Sequence, residues 1–338
     1  MTAAYLSEFG PPEVLRIREV ASPAFGHPHD VLVRVRATSV NFGDTLVRNF
    51  AAVTPRAFHM PWLFWAIGRL TFGLRRPRVH ILGSEFAGTV EAVGTEVTRF
   101  RPGDAVFGYC GARMGAYAEY LCVREDAIVA RKPERLTWEE AAGCPYGALM
   151  ALGVLRKAGV ARGEHVLVVG ASGGIGPWLV QLATRQFGAT VTGVCGTARL
   201  PFVRALGAAD VIDYTQEDVV ARGGTYDVVI DVLGKCDVAR WRPLLSPRGR
   251  LVYVSFKLRQ IVWMLRTAFS RGPRVVCALV NERRTDLETL AALLEAGTLQ
   301  PHVDRTFPLA AVADAHRRAE SGKATGAVVI AIAPIAVG

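Results

Sequence analysis

The sequence predicts an α/β protein: a doubly wound parallel sheet joined to a β-rich domain. Three observations predict it. A short apolar run at 166–169, V-L-V-V, has the composition of a strand buried on both faces. The turn G-A-S-G-G-I-G follows at 170–176, and Trp178, Leu179 and Leu182 then recur at helical spacing. Around this unit, residues 127–296 alternate strands with helices, whereas residues 1–126 read as strands and turns.

Each element has its own signal. Residues 31–37 (V-L-V-R-V-R-A) and 116–123 (A-Y-A-E-Y-L-C-V) alternate with a period of two, as half-buried strands do. Residues 83–94 read as a strand region broken by glycines, and 101–108 as a turn followed by a strand. Thr137, with Glu140 at capping-box spacing, opens a helix predicted to run to Ala158. Beyond the glycine turn come a strand at 190–194, a helix at 201–206, strands at 210–213, 226–232, 250–254 and 274–279, and a helix at 286–295. The tail ends in a further strand at 326–332 and is expected to complete the first domain. The expected division is therefore 1–126 with 297–338, and 127–296.

The glycine turn is where chemistry enters. Glycines let the backbone turn tightly and approach a diphosphate, which the positive end of the following helix favours. Strand, turn and helix together form the dinucleotide fingerprint in its required context. A phosphate-loop nucleotidase is disfavoured, because Pro177 and Trp178 stand where its Lys-Ser/Thr pair would be. The letters also imitate a short-chain dehydrogenase, and Tyr253 and Lys257 spell its Tyr-x-x-x-Lys. Tyr253 lies in an apolar strand, however, so the two residues would not share a helical face.

Composition narrows the class. With 338 residues, 51% hydrophobic and 21% charged, the chain is globular and long enough for two domains. The net charge of +10 suits an anionic partner such as a phosphorylated cofactor, and no nucleic-acid motif accompanies it. The six cysteines are scattered without a C-x-x-C, as in a reducing compartment. The start lacks a secretion signal, and a cytoplasmic location is expected.

The order of motifs resembles the medium-chain dehydrogenase/reductase superfamily, and within it the zinc-independent, quinone-oxidoreductase-like reductases. The resemblance runs nearly end to end. It rests on F-G-P-P-E-V-L at 9–15, V-L-V-R-V-R-A-T-S-V-N-F-G-D at 31–44, residues 83–94, R-P-G-D at 101–104 and the turn at 170–176. It continues through A-L-G-A-A-D-V-I-D-Y at 205–214 and Y-D-V-V-I-D at 226–231. It implies a GroES-like catalytic domain, a Rossmann cofactor domain inserted into it, and a homodimer.

An NAD site normally carries an acid about 20 residues past the glycines. Here the second strand ends in V-C-G-T-A-R at 194–199, without one. Thr197 offers a hydroxyl and Arg199 a fork suited to phosphate. In similar reductases a hydroxyl, a basic residue and the Tyr of an I-[ND]-Y turn grip the 2′-phosphate, and Tyr214 matches the last. NADPH is therefore the expected cofactor. Its binding residues are expected to be Ala171, Ser172, Gly173, Gly174, Ile175 and Gly176 in the turn, then Thr197, Arg199 and Tyr214. Leu233, Gly234, Ser255 and Phe256 end two further strands and are expected to flank the nicotinamide.

Zinc-dependent members of the superfamily place a Cys where this chain has Asn41 and a His where it has Ser84. Neither residue is a good zinc ligand, so no metal is expected. Without a Lewis acid, an acceptor already activated by conjugation, a small lipophilic quinone or enone, becomes the expected substrate. The resemblance sets Asn41 and Asp44 beside the nicotinamide, with Asn41 either donating to a substrate carbonyl or bonded within its own loop. Tyr109 and Tyr146 are the remaining candidate contacts, and water can supply the proton. Many relatives have a Tyr at the position of Leu46. The alternatives are an enoyl reductase or dehydrogenase of a specialised pathway, and a catalytically weak cofactor-sensing or RNA-binding relative.

An apolar insert, F-H-M-P-W-L-F-W-A-I-G-R-L-T-F-G-L at 58–74, precedes Arg75 and Arg76. It reads as a helix packed on the core or on a dimer partner. A lid over a lipophilic substrate and shallow contact with an acidic membrane remain open beside that.

Overall fold

The structure is a computed structural model describing residues 1–332; residues 333–338 of the expected tail lie outside the described residues. The chain forms two units. One comprises Met1–Thr54, Ala66–Tyr146 and the chain from Arg283 onward; the other comprises Pro55–Trp65 and Gly147–Glu282.

The first unit opens with β1 (Thr2–Leu6), β2 (Leu15–Glu19), β3 (Asp30–Val40) and α1 (Phe42–Arg48). Helix α2 (Trp62–Phe72) follows, its residues up to Trp65 counted with the second unit, then β4 (Glu85–Val93), β5 (Ala105–Tyr109), β6 (Tyr120–Arg124), β7 (Ile128–Arg131) and α3 (Trp138–Ala142); α4 (Pro145–Ala158) begins in the first unit and belongs to the second from Gly147 on. The second unit holds β8 (His165–Val169), α5 (Gly176–Gln181), β9 (Thr190–Cys195), α6 (Leu200–Ala205), β10 (Asp210–Asp213) and α7 (Val219–Arg222). It ends with β11 (Tyr226–Asp231), α8 (Val238–Trp241), β12 (Leu245–Tyr253), α9 (Leu258–Thr267) and β13 (Arg274–Cys277). The chain then returns to the first unit through α10 (Arg284–Glu295), β14 (Val303–Pro308), α11 (Val312–Glu320) and β15 (Ala327–Ala331).

The first unit is a seven-stranded sheet in the order β14-β15-β3-β4-β5-β7, with β6 paired to β3. Strand β3 holds its centre because Val31, Val33 and Val35 alternate inward. The antiparallel register sets Thr38 opposite Phe86 and Glu85 opposite Tyr109. That register brings the end of β3 and the start of β4 side by side, where the polar cluster described below is built.

The second unit is a parallel sheet in the order β10-β9-β8-β11-β12-β13. Its central strands are continuously apolar and fully buried, at Val166, Leu167, Val168, Val228, Val229, Ile230, Leu251 and Val252. Strand order reverses between β8 and β11, so the loops at their carboxyl ends frame a topological switch point. Tyr253 lies on β12 with its hydroxyl donating to Cys236 O at 3.0 Å, as the strand reading requires.

Three expectations need correcting. The boundary expected after residue 126 falls after Tyr146, because β7 pairs with β5 and α3 packs against β3 and β4. The return to the first unit begins at Arg283 rather than 297, since α10 packs on β7. The single helix expected over 137–158 is two helices, interrupted at Gly143 and Cys144. Pro145 lacks an N–H and pushes the residue before it out of helical geometry. The cap itself is as the sequence implies: Glu140 N donates to Thr137 Oγ1 at 3.2 Å and Thr137 N to Glu140 Oε2 at 2.9 Å. The apolar insert forms α2, which sets Gly68 against the Phe50 ring but leaves Trp62, Leu63, Ile67 and Leu70 exposed. No described helix is long and apolar enough to cross a membrane.

Candidate active site

In the second unit the glycine turn is built around two backbone constraints. Gly170 has φ +91°, which favours glycine. At Gly176 a Cβ would lie 2.2 Å from Gly170 O, so only glycine lets α5 start this close to the strand. At Gly174 a Cβ would meet nothing within 4 Å, and at Gly173 only Gly170 O at 3.7 Å. The outer face of the turn is thus open to a ligand's approach, while Ala171, Ser172 and Ile175 are buried beneath it. Tight packing below and free space above fit a nucleotide diphosphate.

The carboxyl ends of β8, β9 and β10 bring the sequence-predicted phosphate residues together. Arg199 Nη1 reaches to 3.4 Å from Ser172 Oγ, across the turn. The exposed Tyr214 lies beside Gly196, its hydroxyl 3.7 Å from where a Cβ there would sit. Sequence reasoning missed one member. Asp213 ends β10, accepts hydrogen bonds from the hydroxyls of Thr197 and Thr215, and takes Thr215 N at 2.9 Å. The Thr197 and Thr215 hydroxyls hold its carboxyl below the usual range, so an acid does lie in this corner, largely buried and already satisfied. The signal was legible as the last residue of D-V-I-D, followed at once by the hydroxyl-bearing Tyr214 and Thr215.

The loops after β11 and β12 are fastened to each other. Asp231 accepts Leu233 N at 3.0 Å, Gly234 N at 2.8 Å and Trp241 Nε1 at 3.1 Å. Gly234 has φ +64°, and a Cβ there would lie 2.0 Å from Ser255 O. Leu233 is exposed and Ser255 half-buried on this edge. Phe256 corrects the expectation: its side chain is buried in the core with Tyr253 and Trp241, leaving only its backbone for a ligand.

In the first unit Asn41, Asp44, Tyr109 and Tyr146 converge on a residue the sequence reading did not single out, Glu85. Asn41 caps α1, its Oδ1 accepting Gly43 N at 2.8 Å and Asp44 N at 3.3 Å. Asp44 closes the capping box by accepting Asn41 N at 3.0 Å. Asn41 Nδ2 donates to Ser84 Oγ at 2.7 Å and to Glu85 Oε2 at 3.1 Å. Both amide hydrogens are therefore committed within the protein, which favours the loop-bonded reading over donation to a substrate carbonyl. Glu85 also accepts the Ser39 hydroxyl and, at 2.7 Å, Tyr146 N at the start of α4. The rings of Tyr109 and Tyr146 stand 5.9 Å apart, tilted by 40°.

Two buried carboxyls so close cannot both ionise freely. Burial, with the backbone of Asn41 opposing it and Glu85 adding to it, pushes Asp44 up to about 7. Burial also raises Glu85, against the hydrogen bonds from Ser39, Tyr146 and Asn41. The neighbouring Cys110 thiol is pushed up to about 12 by burial and is inert as a nucleophile. Asp44 is fully buried, so it acts on whatever binds here through its neighbours. Among the described residues, no three His, Cys, Asp or Glu side chains gather where they could share a metal ion.

A glycine turn at a switch point and a β-rich unit with a buried polar cluster define a nicotinamide-type oxidoreductase architecture. Comparison with known proteins agrees. Residues 27–134 match the alcohol dehydrogenase GroES-like domain and residues 206–330 the family described as zinc-binding dehydrogenase. The chain is 30% identical to the mitochondrial NAD(P)H oxidoreductase RTN4IP1 of Bos taurus, over 98% of this chain and 89% of the relative. It superposes with a TM-score of 0.84 on the quinone oxidoreductase of Coxiella burnetii, at 29% identity, covering 98% of this chain and 99% of that one. For the Escherichia coli quinone oxidoreductase complexed with NADPH the TM-score is 0.78 at 26% identity, covering 98% and 100%. The chain belongs to the medium-chain dehydrogenase/reductase superfamily, in its quinone-oxidoreductase-like branch.

Proposed function

We propose that the protein is an NADPH-dependent reductase of quinones or α,β-unsaturated carbonyls that works without zinc. The observation that carries the cofactor is the grouping of Ser172, Thr197, Arg199 and Tyr214 at the ends of β8, β9 and β10. Arg199 supplies a cationic fork for a 2′-phosphate, and Tyr214 a flat exposed ring beside it. Asp213 does not oppose this, because two threonine hydroxyls already hold its carboxylate. The turn at 170–176 receives the diphosphate on its open side, and Leu233, Gly234 and Ser255 flank the nicotinamide. When bound, the cofactor supplies a hydride.

The residues of the first unit orient the acceptor. Asn41 and Ser84 are bonded to each other, two neutral groups each engaged where a zinc enzyme needs a free lone pair, which supports a metal-independent reaction. With no Lewis acid to polarise a plain carbonyl, the substrate must itself delocalise the incoming charge, as a quinone or enone does. Tyr109 and Tyr146 line the acceptor's place, and water or a tyrosine hydroxyl returns the proton. The proposed resting form is a homodimer: among the described residues β13 is the end strand of its sheet, and Leu258, Val262, Leu265 and Phe269 make an exposed apolar stripe on and just after α9, which packs on β13.

Initial rates of NADPH and NADH oxidation with a 1,4-benzoquinone, an enone and a saturated ketone test the reading. NADPH turnover with the conjugated acceptors, unaffected by a chelator, is the expected result. Turnover that needs added zinc, or that uses only the saturated ketone, overturns it.

A further inference from the structure

Helix α2 turns an apolar face to solvent. Leu63, Ile67 and Leu70 recur at i, i+4 and i+7, and they are 54%, 52% and 59% exposed. Trp62 in the first turn and Leu74 just past the last are exposed as well. The opposite face meets the fold. A Cβ on Gly68 would lie 2.7 Å from the Phe50 ring, and the Phe72 ring centre is 5.8 Å from that of Phe50. A surface helix ordinarily packs its apolar side inward and sets polar residues outside. Here Arg69 is the sole charged residue of the helix, and eleven residues are too few to span a bilayer. Charge gathers at its end. Arg69 Nη2 donates to Leu74 O and Arg78 Nη1 to Leu70 O at 2.6 Å, so both fold back on the last turn. Arg75 and Arg76 are exposed between them and make no ion pair among the described residues. Between Asp44 and Glu85 the chain carries six arginines and no Asp or Glu, where the average of 30 acids in 338 residues would place about three or four.

We propose that α2 and the turn after it are a docking surface for an acidic lipid bilayer, with the helix lying flat in the headgroup layer. Leu63, Ile67 and Leu70 enter the acyl boundary, and Trp62 sits at the interface, where amphipathic rings are favoured. Arg75 and Arg76 lay their stems along apolar surface and keep their guanidinium groups among the lipid phosphates. Charge decides between the occupants of this face. A second copy of the chain would bring the same acid-free segment against itself, arginines towards arginines, with no carboxylate in the segment to meet them. A neutral apolar groove would cover the leucines and leave the arginines without a counter-ion. An acidic bilayer supplies an apolar depth and a plane of anions together, which is the pattern this segment displays. None of these residues belongs to the cofactor site or the polar cluster, so the proposal stands apart from the reductase reading.

Co-sedimentation with vesicles tests it. The protein is mixed with vesicles of phosphatidylcholine alone, or of phosphatidylcholine with about 30% phosphatidylglycerol, at low salt and at about 0.5 M salt. Partitioning onto the acidic vesicles is expected to be at least about tenfold stronger, and to fall steeply at high salt. Arg75→Gln with Arg76→Gln leaves the helix intact and should lower that partitioning about tenfold. Ile67→Gln with Leu70→Gln keeps every charge and should abolish it. Both positions are exposed, so the melting temperature of this variant should match the native one. Vesicle binding by the Ile67→Gln, Leu70→Gln variant at the native level overturns the proposal, because the net charge of +10 alone would then account for adsorption. Native protein that ignores the acidic vesicles, or binds both kinds equally, overturns it as well. So does a halved mass of the Ile67→Gln, Leu70→Gln variant by light scattering without lipid, which would give this face to a second copy.

Discussion

Arg199→Ala is the sharpest perturbation of the cofactor site. Arg199 is half-buried at the start of α6, spans the glycine turn to Ser172 and sits beside Thr197 and Tyr214. A guanidinium on a phosphate makes charge-assisted bonds, and losing them costs about 1.5–3 kcal/mol. At 1.4 kcal/mol per tenfold, KM for NADPH should rise about 10- to 150-fold. NADH carries no 2′-phosphate, so its KM should change by less than about threefold and the preference should shrink or invert. Arg199→Lys keeps the charge without the fork and should fall between. The assay is steady-state kinetics with both cofactors at fixed quinone, repeated at high salt, where the wild-type advantage for NADPH should narrow. Equal losses for NADPH and NADH would refute the reasoning, since they would make Arg199 a structural contact of the loop.

Other outcomes follow from the same structure. Gly176→Ala drives a Cβ to within 2.2 Å of a backbone oxygen and should abolish the thermal shift produced by NADPH, with the free protein losing stability as well. Asp44 binds its proton in the native state up to about 7 against an ordinary 3.8, so stability falls as pH rises through that window, by an amount on the order of 4 kcal/mol. Asp44→Asn should therefore raise Tm at pH 8 while lowering kcat; an unchanged or lower Tm at that pH would contradict the burial argument. His316 works in the opposite sense: its ring, ordinarily 6.5, is held to about 3, so the unfolded chain takes up the proton first and stability falls as pH drops below 6.5. The two slopes offset each other in the wild type, and Asp44→Asn should expose the His316 slope as a steeper acid loss in melting curves. Leu265→Glu with Phe269→Glu should convert the dimer to monomer by light scattering, and a wild-type monomer would remove that proposal.

What the sequence discloses is what local rules control. The strand, turn and helix at 166–182 depend on neighbours in the chain, and so does the Thr137 cap. The broken helix at Gly143 was available in Pro145, whose effect on the preceding residue is local too. The polar cluster is another matter. Glu85 meets Asn41 only because β3 and β4 pair in one register, and Arg48 meets His316 across nearly the whole length of the chain. Neither contact leaves a spacing that can be read, and seven histidines without ligand spacing conceal the one that is buried and bonded. Asn41 was identified as important from its position, but the use of its amide hydrogens is a fact of geometry. Likewise Phe256 ends the right strand, yet its side chain turns into the core.

The proposed role of the glycine turn and the Thr197–Arg199–Tyr214 corner is to deliver NADPH to a conjugated acceptor. Its most direct test is kcat/KM for NADPH and NADH with one benzoquinone and its saturated ketone analogue, in the presence of a zinc chelator. Turnover of the quinone, at least about tenfold higher kcat/KM with NADPH, and no turnover of the saturated ketone are expected. Equal use of both cofactors, or loss of activity on chelation, would contradict it.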